Sequence, residues 1–312
     1  MTRPVTFLVN PAAGGGLRPA AVQEVVAAFE ALGGDAEVVT SPGADALPDL
    51  VAAAAASGRV VASVGGDGML SHLVGPAAAS GARLAVVPAG RGNDFARMLG
   101  LPGAPADVAR VLATGTTRAV DLVAWQPPGA PAERLVAGSV YAGIDARAAV
   151  LVHRMRRTPG PLQYPLGALR AIATYAPGRF RLDIDGEVHE LDAGMVVVAN
   201  SGFYGKGMHI APDAALEDGV LDVVIVAAAS RLRLVRSFPS IYDGSHVRRP
   251  EVTVLRGRRI RVAADPAPGR GALDVGADGE PLGVLPALDA EPALVEVRPA
   301  ALEVLVPDLS RG

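Results

Sequence analysis

Val60-Val61-Ala62-Ser63-Val64-Gly65-Gly66-Asp67-Gly68 is an apolar run that stops at two glycines, an aspartate and a third glycine. A β-branched run of this length suits a buried parallel strand, which is covered on both faces. Ligands of an open α/β sheet gather at the carboxyl ends of its strands, which directs attention to Asp67. Glycines there let the chain turn sharply, gather N–H groups into one concavity and approach a phosphate without obstruction from a Cβ. Asp67 is then placed to orient a hydrated Mg2+ on that phosphate. For the tetrapeptide taken alone, a plain glycine-rich strand-to-helix turn is the alternative.

Upstream, Val5-Thr6-Phe7-Leu8-Val9 reads as a first strand running into Asn10-Pro11-Ala12-Ala13-Gly14-Gly15-Gly16, followed by a helix predicted over 19–32. This is a second candidate phosphate cradle, without the Gly-Lys-Ser/Thr ending of a P-loop. Arg18 either reaches a phosphate or is a solvated arginine at the helix start. Residues 36–40 form a second strand ending at Thr40, whose hydroxyl either contacts a nucleotide or caps the turn before Pro42. Downstream come a helix over 69–80, a fourth strand over 83–87, and Pro88-Ala89-Gly90-Arg91-Gly92-Asn93-Asp94-Phe95-Ala96-Arg97. Asn93 and Asp94 stand at an N-cap, which explains one of them; with Arg97 a turn later they suggest a phosphate-and-metal edge. Successive βα units with short connections imply a parallel sheet with helices on both faces.

With 312 residues, 50% hydrophobic and 20% charged, the chain has the composition of a folded protein with a sizeable core. The absence of cysteine excludes disulfides and thiolate chemistry and fits a cytoplasmic protein. A formal net charge of −3 does not advertise nucleic acid, and no apolar stretch reaches membrane-spanning length.

From Asp121 the pattern changes to short alternating runs, predicting a mainly antiparallel β-sandwich with helical insertions near 146–156, 163–175 and 230–242. Asp185-Gly186 reads as a hairpin turn. The domains are thus 1–120 and 121–312. Val275-Gly276-Ala277-Asp278-Gly279-Glu280-Pro281 is a second acidic turn. Phosphoryl transfer to a hydroxyl needs a carboxylate that takes the proton, and Glu280 fits that role, with a generic hairpin turn as the alternative. Arginines around 154–157 and the Leu166, Leu169, Ile172 stripe either dock on an anionic bilayer or are respectively solvated and core-facing.

Asn-Pro-x-x-Gly near the start, Gly-Gly-Asp-Gly after the third strand and Gly-x-Gly-Asn-Asp-Phe-Ala-Arg after the fourth resemble the catalytic domain of the diacylglycerol kinase family. Within it the likeness is to soluble bacterial lipid kinases related to sphingosine and ceramide kinases. The resemblance implies ATP and Mg2+ on the first domain, a lipid hydroxyl presented by the second, and a cleft between them. It implies nucleotide contacts at Asn10, Gly14, Arg18, Thr40, Gly65, Gly66, Asp67, Gly68, Met69, Gly90, Arg91, Asn93 and Arg97. Catalytic roles fall to Asp67, Asp94 and Glu280, the last favoured over Asp278. In Ala215-Leu216-Glu217-Asp218-Gly219-Val220 a structural Mg2+ would be held by Asp218 and the carbonyls of Ala215 and Val220; bottom-up, an Asp-Gly turn before a strand is the alternative. Met69 and His72 stand where the family has a hydroxyl residue and often Glu, and Arg91 where it has Thr. Methionine cannot donate a hydroxyl hydrogen bond, and Arg91 offers a charge-assisted contact instead. The expected partners are a nucleotide and a lipid at a membrane surface, with no nucleic acid and a homodimer left open. The expected location is the cytoplasm, with peripheral attachment at the inner membrane face left open. The competing readings are an NAD kinase and a non-catalytic nucleotide or lipid binder.

Overall fold

The computed structural model describes residues 3–9, 19–90, 92–155 and 160–308, and the chain divides into two units, Met1–Asp121 with Pro299–Gly312, and Leu122–Arg298. The closing segment, assigned from sequence to the second domain, therefore groups with the first unit.

The first unit runs β1 (Pro4–Val9), α1 (Pro19–Ala31), β2 (Asp35–Thr40), α2 (Leu47–Ala56), β3 (Val60–Gly65), α3 (Asp67–Ser80), β4 (Leu84–Pro88), α4 (Asp94–Met98) and α5 (Pro105–Thr114), ending in the first half of β5 (Thr116–Gln126). Its strands lie in the order β2-β1-β3-β4, all parallel. Every residue of β3 is buried, as its β-branched composition requires of a central strand. Alternation sends Phe7, Ala62, Val64 and Val87 to one face, where Phe29 of α1 and Leu112 of α5 join them. Phe7 and Phe29 meet edge to face, ring centroids 6.1 Å apart. Helices α2 and α3 pack against each other and against β3. The final strand returns to this sheet, with Val304 beside Leu84 in parallel register. Asp121, 2% exposed, accepts the Ala300 N–H at 2.8 Å and so holds that strand's entry, where Ala300 has a φ of +50°.

The second unit comprises β6 (Arg134–Val136), β7 (Ser139–Gly143), α6 (Ile144–Arg154), α7 (Gly160–Ala173), β8 (Gly178–Ile184), β9 (Glu187–Ala199), β10 (Phe203–Tyr204), β11 (Met208–His209), β12 (Leu221–Ala227), α8 (Arg231–Ser237), β13 (Val252–Gly257), β14 (Arg259–Asp265), β15 (Asp274–Ala277), β16 (Glu280–Val284) and the start of β17 (Ala293–Val306). Long β9 organises it: its first half pairs β8, its second half β7 and β12, all antiparallel. Period-two alternation along β9 puts Val196 and Val198 in the sandwich core with Phe180, Leu182 and Ile260. Met195 and Val197 face the other way, into a cluster with Tyr141, Tyr204 and Ile210. Asp185-Gly186 joins β8 to β9 with φ of +51° and +96°, the doubly positive turn whose twist matches the strands.

Candidate functional site

In the first unit the carboxyl ends of the parallel strands are level: Val9 lies beside Thr40 and Val64, and Gly65 beside Pro88. The chain leaves β1 to add β2 on one side and β3 on the other, so the order reverses between β1 and β3. A crevice at that reversal point is where open α/β sheets take ligands. Asp67 opens α3 there. The cap of this helix is Gly66, which supplies no side-chain acceptor to the first turn. A helix start of that kind, carrying the positive end of the dipole, suits an anion. The two glycine turns touch: a Cβ on Gly90 would lie 2.3 Å from Gly66 Cα and 2.8 Å from its nitrogen. Glycine at 90 is therefore a condition of bringing the two strand ends together.

Within that frame the residues divide by role. One carboxylate oxygen of Asp67 accepts the Asp94 N–H at 2.8 Å and the Phe95 N–H at 3.4 Å, so Asp67 caps α4 from across the sheet edge as well as facing it. Asp94 is 6% exposed and its carboxylate takes Arg97 Nη1 at 2.6 Å. Asn93, expected as a nucleotide contact, uses its amide on its own turn: Oδ1 accepts the Gly90 N–H and Nδ2 donates to the Gly90 carbonyl, both at 3.0 Å. Its φ of +54°, tolerable for asparagine, is what aims it there. Met69, 3% exposed, packs under Gly65, so its side chain serves the core and not a ligand. Thr40 ends β2 exposed, with the neighbouring Ser41 N–H donating to the Val9 carbonyl at 2.8 Å. Asn10, Gly14, Arg18 and Arg91 lie outside the described residues.

In the second unit the Asp278-Gly279 pair is another two-residue hairpin, φ +46° and +89°, with Ala277 facing Glu280. The Asp278 carboxylate accepts the main-chain N–H groups of Ala137, Gly138 and Ser139 at 3.0–3.2 Å. Burial pushes its pKa up, against the pull of those amides. A Cβ on Gly138 would sit 2.6 Å from Asp278 Oδ1, so that position must be glycine for the amides to close on the carboxylate. The Gly279 N–H donates to Tyr141 Oη at 3.0 Å. Asp278 is thereby committed to holding the turn, and Glu280, the half-buried first residue of β16, is the carboxylate the turn presents. The segments 141–146 and 200–212 resemble family segments bordering the cleft and as raw sequence are only glycine-rich loops; the roles of Tyr141, Tyr204 and Asp145 within them were not read from sequence. Tyr141 packs against Tyr204 with the rings tilted at 56° and their centroids 5.8 Å apart, and the Tyr204 hydroxyl donates to Asp145 Oδ2 at 2.5 Å. Burial pushes the Asp145 carboxyl up to about 6 despite that donor. No local motif announces this chain of contacts, which only the sheet assembles.

In the Asp218 turn, expected from the resemblance to hold a structural Mg2+ with the Ala215 and Val220 carbonyls, the carboxylate is engaged by the protein itself. Oδ1 of Asp218 accepts the Val220 N–H at 3.2 Å, and Arg256 sits on Oδ2. Cross-strand pairing of Asp222 with Arg256 fixes the guanidinium there, its Nε 3.5 Å from Asp222 Oδ1. Burial and the neighbouring Asp218 and Asp213 push the Asp222 carboxyl up against the pull of Arg256, so carboxylates outnumber the guanidinium here. Among the described residues no group of three or more His, Cys, Asp or Glu side chains could hold a metal ion.

Residues 4–125 match the diacylglycerol kinase catalytic domain, and 138–306 the YegS C-terminal NAD kinase beta sandwich-like domain. A Mycobacterium tuberculosis protein named "Diacylglycerol kinase" is 34% identical over 97% of this chain and 95% of its own length. A Pseudomonas aeruginosa "Probable lipid kinase YegS-like" is 31% identical, covering 92% and 89%. Among solved structures, a diacylglycerol kinase from Bacillus anthracis superposes with a TM-score of 0.70 at 17% identity, covering 99% of this chain and 98% of that one, which shows the fold. A parallel α/β unit followed by a mainly antiparallel β unit is the fold this chain shares with a diacylglycerol kinase of solved structure, and the two units correspond to the two matched family domains. The chain belongs to the diacylglycerol kinase family, and it is a lipid kinase.

Proposed function

We propose that the enzyme transfers the γ-phosphoryl group of ATP to a hydroxyl of diacylglycerol or a closely related lipid. The observation that carries the reading is the clamped Asp278-Gly279 turn, which commits one carboxylate to structure and leaves Glu280 to act as base. The name of the mycobacterial relative supports the diacylglycerol class. The first unit's helix start and glycine turns suit the nucleotide phosphates. Asp67, an oxygen donor on the first turn of α3, fits a magnesium ion bound chiefly by phosphates, and such an ion would neutralise charge on the transferring group, while Asp94 holds Arg97 beside it. Glu280 draws the proton from the lipid hydroxyl, whose oxygen forms the new bond to phosphorus as the bridging P–O bond to ADP breaks. The proton ends on the Glu280 carboxylate.

Incubation with γ-labelled ATP, Mg2+ and a lipid panel, with NAD as a control acceptor, tests this. Label should appear in diacylglycerol or a close relative; label in NAD, or in no lipid, contradicts the proposal.

A further inference from the structure

The apolar stripe on α7 divides. Gly167 turns toward α6, where a Cβ would meet Val152 Cγ2 at 2.5 Å, and Ala171, one turn on, and Ile172 are buried. Leu166 and Leu169, three residues apart, stand outward at 43% and 55% exposure with Arg170 exposed beside them. Helix α8 packs against α7 and is tied to it by Arg231, which donates to the Tyr175 carbonyl at 3.3 Å. No residue of α8 is buried. Leu232 and Val235 are 60% and 43% exposed, and Tyr242, just after it, 50%.

The charge on the two helices has one sign. Helix α7 carries Arg170, and α8 carries Arg231, Arg233 and Arg236; neither helix contains an acidic residue, in a chain of formal net charge −3. Among the described residues Arg170, Arg233 and Arg236 enter no ion pair; Glu251 approaches only Ser237, at the far end of α8, with 3.5 Å between oxygens. Exposed leucines interleaved with unpaired arginines suit the boundary of an anionic bilayer, where acyl chains take the apolar tips and lipid phosphates the guanidinium groups. A protein partner would need acidic side chains to answer every arginine; a bilayer supplies that charge without a fixed register.

We propose that the outward face of α7 and α8 docks this enzyme on a membrane containing anionic phospholipid. The proposal rests on the lipid-kinase reading, since it brings the enzyme to the phase in which its lipid is dissolved. The test is sedimentation with phosphatidylglycerol vesicles and, in parallel, phosphatidylcholine vesicles. The wild type is compared with Leu169→Glu/Leu232→Glu and Arg233→Glu/Arg236→Glu, each checked by melting temperature and gel-filtration volume. Wild type should pellet with phosphatidylglycerol alone and be released by salt, and each double variant should bind at least about tenfold more weakly. Both variants should phosphorylate a short-chain diacylglycerol in free solution at the wild-type rate. Variants that pellet like wild type, equal binding to both lipids, or a leucine variant whose elution volume shows loss of a dimer would each overturn the docking face. The vesicle result decides the face whatever the short-chain assay gives. Failure of the wild type to phosphorylate the dissolved lipid would count against the diacylglycerol reading alone.

Discussion

Asp278→Ala should damage stability and turnover together, because the carboxylate it removes holds three main-chain amides and, through them, the position of Glu280. Ser139 is fully buried and Ala137 is 1% exposed, so their N–H groups would lose an acceptor where water does not readily replace it. Hydrogen bonds to a charged group contribute roughly 1.5–3 kcal/mol each, and they are not additive within one cluster. Burial, which pushes the Asp278 carboxyl up, offsets part of the gain. A net loss of about 3–5 kcal/mol is expected, the range seen when one partner of a buried charged contact is deleted. Asp278→Asn keeps one oxygen but turns an NH2 toward the same donors, and should lose about half as much. With the turn released, Glu280 moves off line and turnover should fall by about tenfold or more even where the protein remains folded. Urea unfolding and a γ-labelled ATP assay on the same preparations measure both quantities. An Asp278→Ala protein with an unchanged unfolding midpoint would refute the clamp, and one that is destabilised yet turns over at the wild-type rate would refute the positioning role.

Asp67→Asn, which keeps the oxygen that caps α4, should abolish transfer while costing under about 1 kcal/mol, whereas Asp67→Ala should cost about 1–2 kcal/mol as well; equal stability of the two would show the cap is not made. For Asp145, a folded pKa of about 6 above an ordinary 3.8 means the favourable contribution is complete below pH 3.8 and lost as pH rises through 6. That gap corresponds to roughly 3 kcal/mol, so Asp145→Asn should equal wild type near the acid end and exceed it in melts above pH 7; a difference independent of pH would contradict the burial. Because Arg256 already occupies the Asp218 carboxylate, a chelator should leave the melting temperature unchanged, and a fall reversed by Mg2+ would show a metal site there.

Much of the architecture was legible because it rests on local rules. The β-branched run 60–64 suits a central strand, and the Asp-Gly pairs at 185–186 and 278–279 adopt the doubly positive hairpin that this dipeptide favours. Helix α2 was not legible, since its alanine run gives almost no periodic contrast. Nor was the return of β17 to the first sheet, a pairing of Val304 with Leu84 that no local pattern encodes. Site residues followed the same division. The strand-end placement of Asp67 follows from local sequence, but the separation of Asp278 from Glu280 depends on amides some 140 residues away in the chain. Arg256 reaches Asp218 only through the register of β12 with β13, which sequence alone does not set. The α7 stripe split, Ile172 being buried while Leu166 and Leu169 stay exposed, because tertiary packing and not helical spacing decides which members of a stripe are covered.

Turnover of Glu280→Gln, with ATP affinity measured alongside, tests most directly whether Glu280 takes the proton from the lipid hydroxyl. The account predicts a fall of about 10²–10⁴-fold in kcat with ATP binding and the unfolding midpoint nearly unchanged, since glutamine keeps the shape but cannot accept a proton. Wild-type turnover in that variant would contradict the assignment outright, and loss of ATP binding would move Glu280 from the acceptor to the nucleotide.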